Sequence, residues 1–230
     1  MADLSIEQLV EELSKTRGLD FRGYKRNSLE RRLRKRMAEL NIGTVQDYAD
    51  FFHGNRSEIN DLLETVLINV TTFFRDPVAW EVLRKEALPL LIDPLQPGGR
   101  FRVWCAGCAS GEEVYSLAIL LSEYLGPWVK LFDIKIYATD PDEQALNVAR
   151  RGEYPADRLK TVPPPLREKY FQGGSIVRVN RDIRKMAIFG RSNLVGDAPI
   201  SHVNLLICRN VLIYFDWSSN DRCWNGSVMR

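Results

Sequence analysis

The sequence predicts an α/β protein in which a helical bundle precedes a doubly wound, mainly parallel sheet with a small antiparallel β insert. Three observations predict it. Up to about Arg75 the apolar residues recur at three- and four-residue spacing, without strand alternation. Phe101 to Leu120, FRVWCAGCASGEEVYSLAIL, reads as a strand, a small-residue loop and a helix. Lys135 to Asp140, KIYATD, reads as a second strand ending in a carboxylate, after which Pro141 opens a helix with Ala145, Leu146 and Ala149 on one face. The boundaries expected are an all-helical domain over 1–75 and an α/β domain over 76–230, with the insert at about 172–192.

In the helical part, Ser5 and Gln8 form a capping box ahead of Ile6, Leu9, Val10 and Leu13, and Gly18 stops that helix. Three more helices carry Leu29, Leu33, Met37 and Leu40; Val45, Tyr48, Phe51 and Phe52; and Ile59, Leu62, Leu63 and Val66. The second is lopsided in charge. Arg22, Lys25, Arg26, Arg31, Arg32, Arg34, Lys35 and Arg36 face only Glu30 in that window, an excess that attracts an acidic helix or polyanion unless it is simply a solvated face.

Asn69 to Arg75 is polar and aromatic-flanked, poor core material because its side chains need partners if buried. A helix from Pro77 carries Trp80, Val82, Leu83 and Leu88, and a loop with Pro94, Pro97, Gly98 and Gly99 leads to the strand at Phe101. There Phe101, Val103 and Cys105 alternate with Arg102 and Trp104. Gly107 and its small neighbours let a nucleotide-like ligand approach backbone and helix N-terminus, although many such turns are glycine-rich for steric reasons alone. Asp140 stands where doubly wound folds place the acceptor for ribose hydroxyls, and it also suits the N-cap of the Pro141 helix.

From Tyr154 the pattern changes. Pro155 and Pro163 to Pro165 break regular structure, Leu166 to Phe171 suits a short helix, and Ile176 to Val179 with Met186 to Phe189 read as the strands of the insert. Val203 to Cys208 is almost continuously apolar, as a parallel strand covered on both faces requires.

Composition bounds the function class. A formal charge of +2 does not call for nucleic acid, and 45% hydrophobic residues suffice for a core. Cys105, Cys108, Cys208 and Cys223 suggest a reduced protein rather than a disulfide framework. The single CxxC, with only His53 and His202 elsewhere, argues against zinc and leaves a redox pair or small-residue packing. No signal-peptide layout or membrane-length apolar run is apparent, so a cytoplasmic chain without membrane insertion is expected.

Four words together, NVTTFFRD, VWCAGCASGEEVYSLA, YATDPDEQALNVARRGEY and LLICRNVLIYF, resemble in content and order the CheR family of S-adenosylmethionine-dependent protein-glutamate O-methyltransferases. The resemblance implies a class I, Rossmann-like methyltransferase fold with S-adenosylmethionine as cofactor. It implies cofactor contacts from Asn69, Thr71, Arg75, Gly107, Asp140, Asn193, Leu194, Cys208 and Arg209, with Glu112 or Glu113 meeting the methionine end. Arg75 and Tyr214 become the groups that orient the reacting carboxylate. The basic residues Arg31, Arg32, Arg34, Lys35 and Arg36 become a docking face for the acidic helices of a chemoreceptor or other signalling protein. In some members the β insert binds a receptor pentapeptide; the compact Asn180 to Lys185 connection argues against that here.

After Asp216 the resemblance stops: WSSNDRCWNGSVMR shows neither helical nor strand periodicity. A truncated sheet is therefore expected, lacking its C-terminal strands and leaving the strand around Leu205 as an apolar edge. The alternative function is a catalytically weak or inactive cofactor-binding or interaction module. No DPPY-like or NPPF-like tetrad points to base methylation.

Overall fold

The computed structural model describes residues 6–17, 21, 23–67 and 69–216. Ser5, Gly18, Arg22 and the segment from 217, on which parts of the sequence reading rest, lie outside the described residues. The chain divides into two compact units. One holds residues up to Asn69 with Asn193–Pro199 and the stretch from Asn210; the other holds Val70–Ser192 and Ile200–Arg209.

In the first unit, helices α1 (Ile6–Arg17), α2 (Arg26–Glu39), α3 (Val45–Gly54) and α4 (Glu58–Val66) follow the predicted apolar spacing. They bury Leu9 and Leu13, then Leu29, Leu33 and Met37, then Tyr48 and Phe52, then Leu62 and Val66 against one another. Thr44 caps α3 by accepting from the Asp47 N–H at 3.1 Å. The end of the LIYF word belongs to this unit. Lys25 N–H donates to the Tyr214 carbonyl at 2.9 Å, Asp216 N–H donates to Gly23, and the Tyr24 and Phe215 rings meet edge to face at 4.8 Å.

One member of the expected docking face is not on it. Arg36 reaches across to α4 and grips both carboxylate oxygens of Glu58 at 2.8 and 2.6 Å, with Asp61 at 2.9 Å. Tyr48 Oη donates to the same carboxylate at 2.7 Å. Glu58 is 1% exposed, so its charge is stable there only because a fork of guanidinium donors meets it. The same carboxylate holds the Arg36 pKa above its ordinary value, chiefly through that hydrogen bond, and burial with the Glu58 bond pushes the Tyr48 phenol up. Arg34 and Lys35, by contrast, form exposed i,i+4 pairs with Glu30 and Glu39.

In the second unit, Pro77 opens α5 (Pro77–Val82), which continues through a π turn (Leu83–Ala87) into α6 (Leu88–Ile92). Pro89 gives the π turn a cause, since its ring would clash with a carbonyl one turn back in a regular helix. Trp80 and Leu88 face inward, whereas Val82 is exposed. Then come β1 (Arg100–Ala106), α7 (Glu112–Leu125), a 3-10 turn, β2 (Asp133–Asp140) and α8 (Glu143–Arg151). After α8 follow β3 (Glu153–Pro155), α9 (Pro164–Tyr170), β4 (Phe171–Gly173), β5 (Ile176–Val179), α10 (Arg181–Arg184), β6 (Ala187–Arg191) and β7 (Leu205–Ile207).

The main sheet is parallel, in the order β6-β2-β1-β7. That order reverses direction beside β1, so the turns after β1 and β7 flank the switch point where doubly wound folds bind ligands. Trp104, placed outward by alternation, is buried and donates from Nε1 to Thr139 Oγ1 at 2.8 Å, because the sheet is covered on both faces. The antiparallel sheet is β3-β5-β4, spanning 153–179 rather than 172–192. The strand expected to complete it, β6, instead pairs parallel with β2 from Ile136↔Ala187 to Asp140↔Arg191. Among the described residues β7 is the opposite edge of the main sheet.

The Arg36 network yields a stability test. Replacing Arg36 by Ala leaves Glu58 buried without its partner and is expected to cost about 3 to 5 kcal/mol in urea denaturation. Arg34→Ala is expected to cost less than about 0.5 kcal/mol. Equal losses would contradict the distinction.

Candidate functional site

The C-terminal ends of β1, β2 and β7 and the loop before α5 carry most of the residues singled out by the sequence. The β1 turn begins with Gly107 at φ 73°, and both Gly107 N–H and Cys108 N–H donate to the Thr139 carbonyl at 2.8 and 3.0 Å. Ala109 follows at φ 45° and Gly111 at φ 90°; a Cβ on Gly111 would stand 2.8 Å from the Ala149 Cβ. Glycine is therefore required at 111 for both backbone and space.

Asp140 ties this turn to the next. Its Oδ2 accepts from Ala109 N–H at 2.7 Å and its Oδ1 from Asp142 N–H at 2.9 Å. It is not the cap of α8: Asp142 is, accepting from the N–H groups of Gln144 and Ala145. Asp140 is 6% exposed, and burial raises its pKa to about 6 against the pull of its two backbone bonds.

Two further carboxylates open α7. Glu112 is 1% exposed, accepts from Ser110 Oγ at 2.6 Å and has the Arg158 guanidinium at 3.5 Å. Glu113 lies less deep and accepts from Arg209 Nη1 at 2.9 Å. Burial raises both pKa values, and Arg209 opposes the rise at Glu113.

Residues Phe73 to Asp76 form the third wall. Phe74 and Asp76 have φ of 50° and 56°, unusual for residues with side chains, so Arg75 is flanked on both sides by left-handed backbone. Side chains hold this loop in place. Ser116 Oγ accepts from Phe74 N–H at 2.9 Å, and Thr161 Oγ1 donates to the Phe73 carbonyl at 2.6 Å. The Arg75 carbonyl accepts from both Trp80 Nε1 and Arg209 Nη2. The Arg75 side chain donates to the Val70 carbonyl at 3.1 Å.

Of the residues predicted, Arg75, Gly107, Glu112, Glu113, Asp140 and Arg209 are brought together by these bonds. Thr71 and Cys208 adjoin them in the chain, and burial with the Glu113 charge pushes the Cys208 thiol up to about 11. Cys105 and Cys108 are buried free thiols whose pKa values burial raises, which suits packing rather than redox exchange. Asn69, Asn193, Leu194 and Tyr214 belong to the helical unit. There Asn193 is buried, accepts from Val195 N–H at 3.0 Å and donates from its own N–H to Asp197 at 2.8 Å. Sequence reading took Ser110 only as a small residue of the turn and missed Ser116, Asp142 and Arg158. Only Asp142 had a local signal, as the carboxylate immediately before the helical spacing begins.

Two family models match the chain: the CheR methyltransferase all-alpha domain over residues 4–67 and the CheR methyltransferase SAM-binding domain over 69–228. The chain is 31% identical over 228 residues to a chemotaxis protein methyltransferase of Borreliella burgdorferi, covering 96% of this chain and 81% of that protein. It is 32% identical over 229 residues to chemotaxis protein methyltransferase 2 of Pseudomonas aeruginosa, covering 94% and 78%. An uncharacterised 104.1 kDa protein of Rhodobacter capsulatus is 33% identical over 95% of this chain, which spans 23% of that protein's length. With both domains matched in order over most of its length and the fold they describe, the chain belongs to the CheR methyltransferase family.

Proposed function

We propose that this chain methylates glutamate side-chain carboxylates of a chemoreceptor or related signalling protein, with S-adenosylmethionine as the methyl donor. The observation that carries the reading is the donor set at the switch point. Asp140 and Glu112 are buried in and beside the β1 turn, and the half-buried Glu113 meets Arg209, which in turn meets the Arg75 carbonyl. The chemistry of that set fits the donor: Asp140 suits a vicinal diol, and Glu112 or Glu113 suits an ammonium group. Gly107 brings backbone close to the ligand. Asn69, Thr71, Asn193, Leu194, Cys208 and Arg209 are assigned to the same cofactor on the family resemblance.

When bound, the donor supplies a methyl group activated on a positively charged sulfur. A glutamate side chain is already ionised at neutral pH, so the protein needs no strong base. Its contribution is alignment and exclusion of water. Arg75 has one donor committed to Val70; its remaining donors fit a substrate carboxylate, holding one oxygen back and turning the other towards the methyl group. Tyr214 is assigned the second orienting contact. On the helical unit, Arg31, Arg32, Arg34 and Lys35 form the docking face for acidic helices, without Arg36, and the Arg32 Nε is buried with no hydrogen-bond partner.

Two outcomes are expected. Arg75→Ala should lower kcat/KM for methyl transfer more than about 100-fold, and Tyr214→Phe about 10-fold, because neither residue moves a proton; wild-type rates for both would overturn the assignment. The second concerns pH. The folded Asp140 pKa lies above its unfolded value, so its ionisation costs stability at neutral pH, and that cost is relieved as pH falls from about 6 towards 3.8. Ligand binding runs the other way, since the ionised form accepts the hydroxyls. Calorimetric affinity for S-adenosylhomocysteine should fall about fourfold from Asp140 alone between pH 7.5 and 5.5, and that fourfold fall should be absent in Asp140→Asn. An affinity independent of pH would contradict the role of Asp140.

A further inference from the structure

We propose that Trp80 is a positioning residue for both arginines of the candidate site, holding the Arg75 backbone with its indole N–H and the Arg209 guanidinium with its ring face. The inference rests on the cofactor and substrate reading above and adds a residue outside the family motifs.

The geometry has three parts. Trp80 Nε1 donates to the Arg75 carbonyl at 2.9 Å. The Arg209 guanidinium carbon stands 5.5 Å from the Trp80 ring centroid, within cation–π range. Arg209 Nη2 donates to that same Arg75 carbonyl at 3.0 Å and to Asp76 at 2.7 Å, while its Nη1 reaches Glu113. One carbonyl thus receives two donors, and the residue giving one of them forms the platform under the other.

This arrangement answers a specific difficulty. The Arg75 peptide is fixed between two left-handed residues, Phe74 and Asp76, a conformation that costs free energy and persists only where neighbours impose it. Arg209 is 23% exposed, carries a long side chain, and has acidic partners on two sides, Glu113 at 15% and Asp76 at 62% exposure. Without a platform it could follow the more exposed Asp76 outward, and both its place beside Glu113 and the direction of Arg75 would be lost. Trp80 is itself buried in the sheet's core, with Phe74 packed edge to face on it at 5.8 Å, so the platform is rigid. The π turn of the helix begins at Leu83, just after this residue.

The test uses the whole chain with S-adenosylhomocysteine as the probe in calorimetry, and circular dichroism to confirm folding. Trp80→Phe keeps a ring face and loses the N–H; its dissociation constant should rise about 3- to 5-fold at unchanged stoichiometry. Trp80→Leu loses both contacts and should rise about 10- to 30-fold. In an Arg209→Gln background the step from Phe to Leu at position 80 should change affinity less than about twofold, because the ring has no cation to hold. A merely structural role predicts the opposite signature, a reduced stoichiometry with the wild-type dissociation constant. That outcome, or an equal Phe-to-Leu step in both backgrounds, overturns the proposal. If Trp80→Leu does not fold, wild-type affinity in Trp80→Phe overturns the N–H contact by itself. No binding by the folded wild-type chain would remove the cofactor reading and this inference with it, whereas binding that ignores Trp80 removes only the inference.

Discussion

A single carboxylate, Asp140, joins the ends of the two central strands. By accepting from Ala109 on one turn and Asp142 on the other, it fixes how the β1 turn and the start of α8 face each other. The β1 turn in turn sets Gly111 as the entry to α7, and so the positions of Glu112 and Glu113. The cost is a buried charge whose pKa rises to about 6. A site built to accept hydrogen bonds from a diol would carry that cost, because the same low-polarity surroundings that penalise the empty carboxylate strengthen its bonds to a ligand.

The loop before α5 follows the same logic with backbone in place of charge. Phe74 and Asp76 adopt conformations that side-chain-bearing residues avoid, and four tethers from Ser116, Thr161, Trp80 and Arg209 hold them. These tethers come from α7, the turn before α9, α5 and the end of β7, so the loop is specified only when the unit as a whole is folded. The direction in which Arg75 points is therefore a property of the fold rather than of the FFRD word.

That difference sets what was legible in the sequence. The four N-terminal helices, the strand at Phe101 and the strand ending in Asp140 were legible because their apolar periodicity is local and long. The membership of β6 was not, since four residues that favour a strand say nothing about which sheet receives them; the three-residue strands β3 and β4 carry too little pattern to be seen. Arg36 read as one cation in a basic run because its partners, Glu58 and Asp61, lie on another helix 22 and 25 positions away. Trp80 read only as one apolar residue of the Pro77 helix, and it is part of the core. Its indole N–H and ring face acquire their second purpose only from Arg209, 129 positions on, a relation that periodicity does not encode. The family words name residues in the turns that flank the strands, whereas the side chains that hold those turns in place, Ser116 and Thr161 among them, carry no local signal.

The central claim concerns the acceptor, a carboxylate held by guanidinium groups rather than an amine or a base. It is tested most directly by incubating the chain with S-adenosylmethionine labelled in its methyl group and an acidic chemoreceptor helix, then treating the product with base. A methyl ester of glutamate is cleaved by base and releases its label as methanol, whereas a methylated amine keeps it. The account predicts transfer that depends on Arg75 and label that is fully base-labile. Transfer of base-stable label, or none from a folded chain that binds the cofactor, would contradict it.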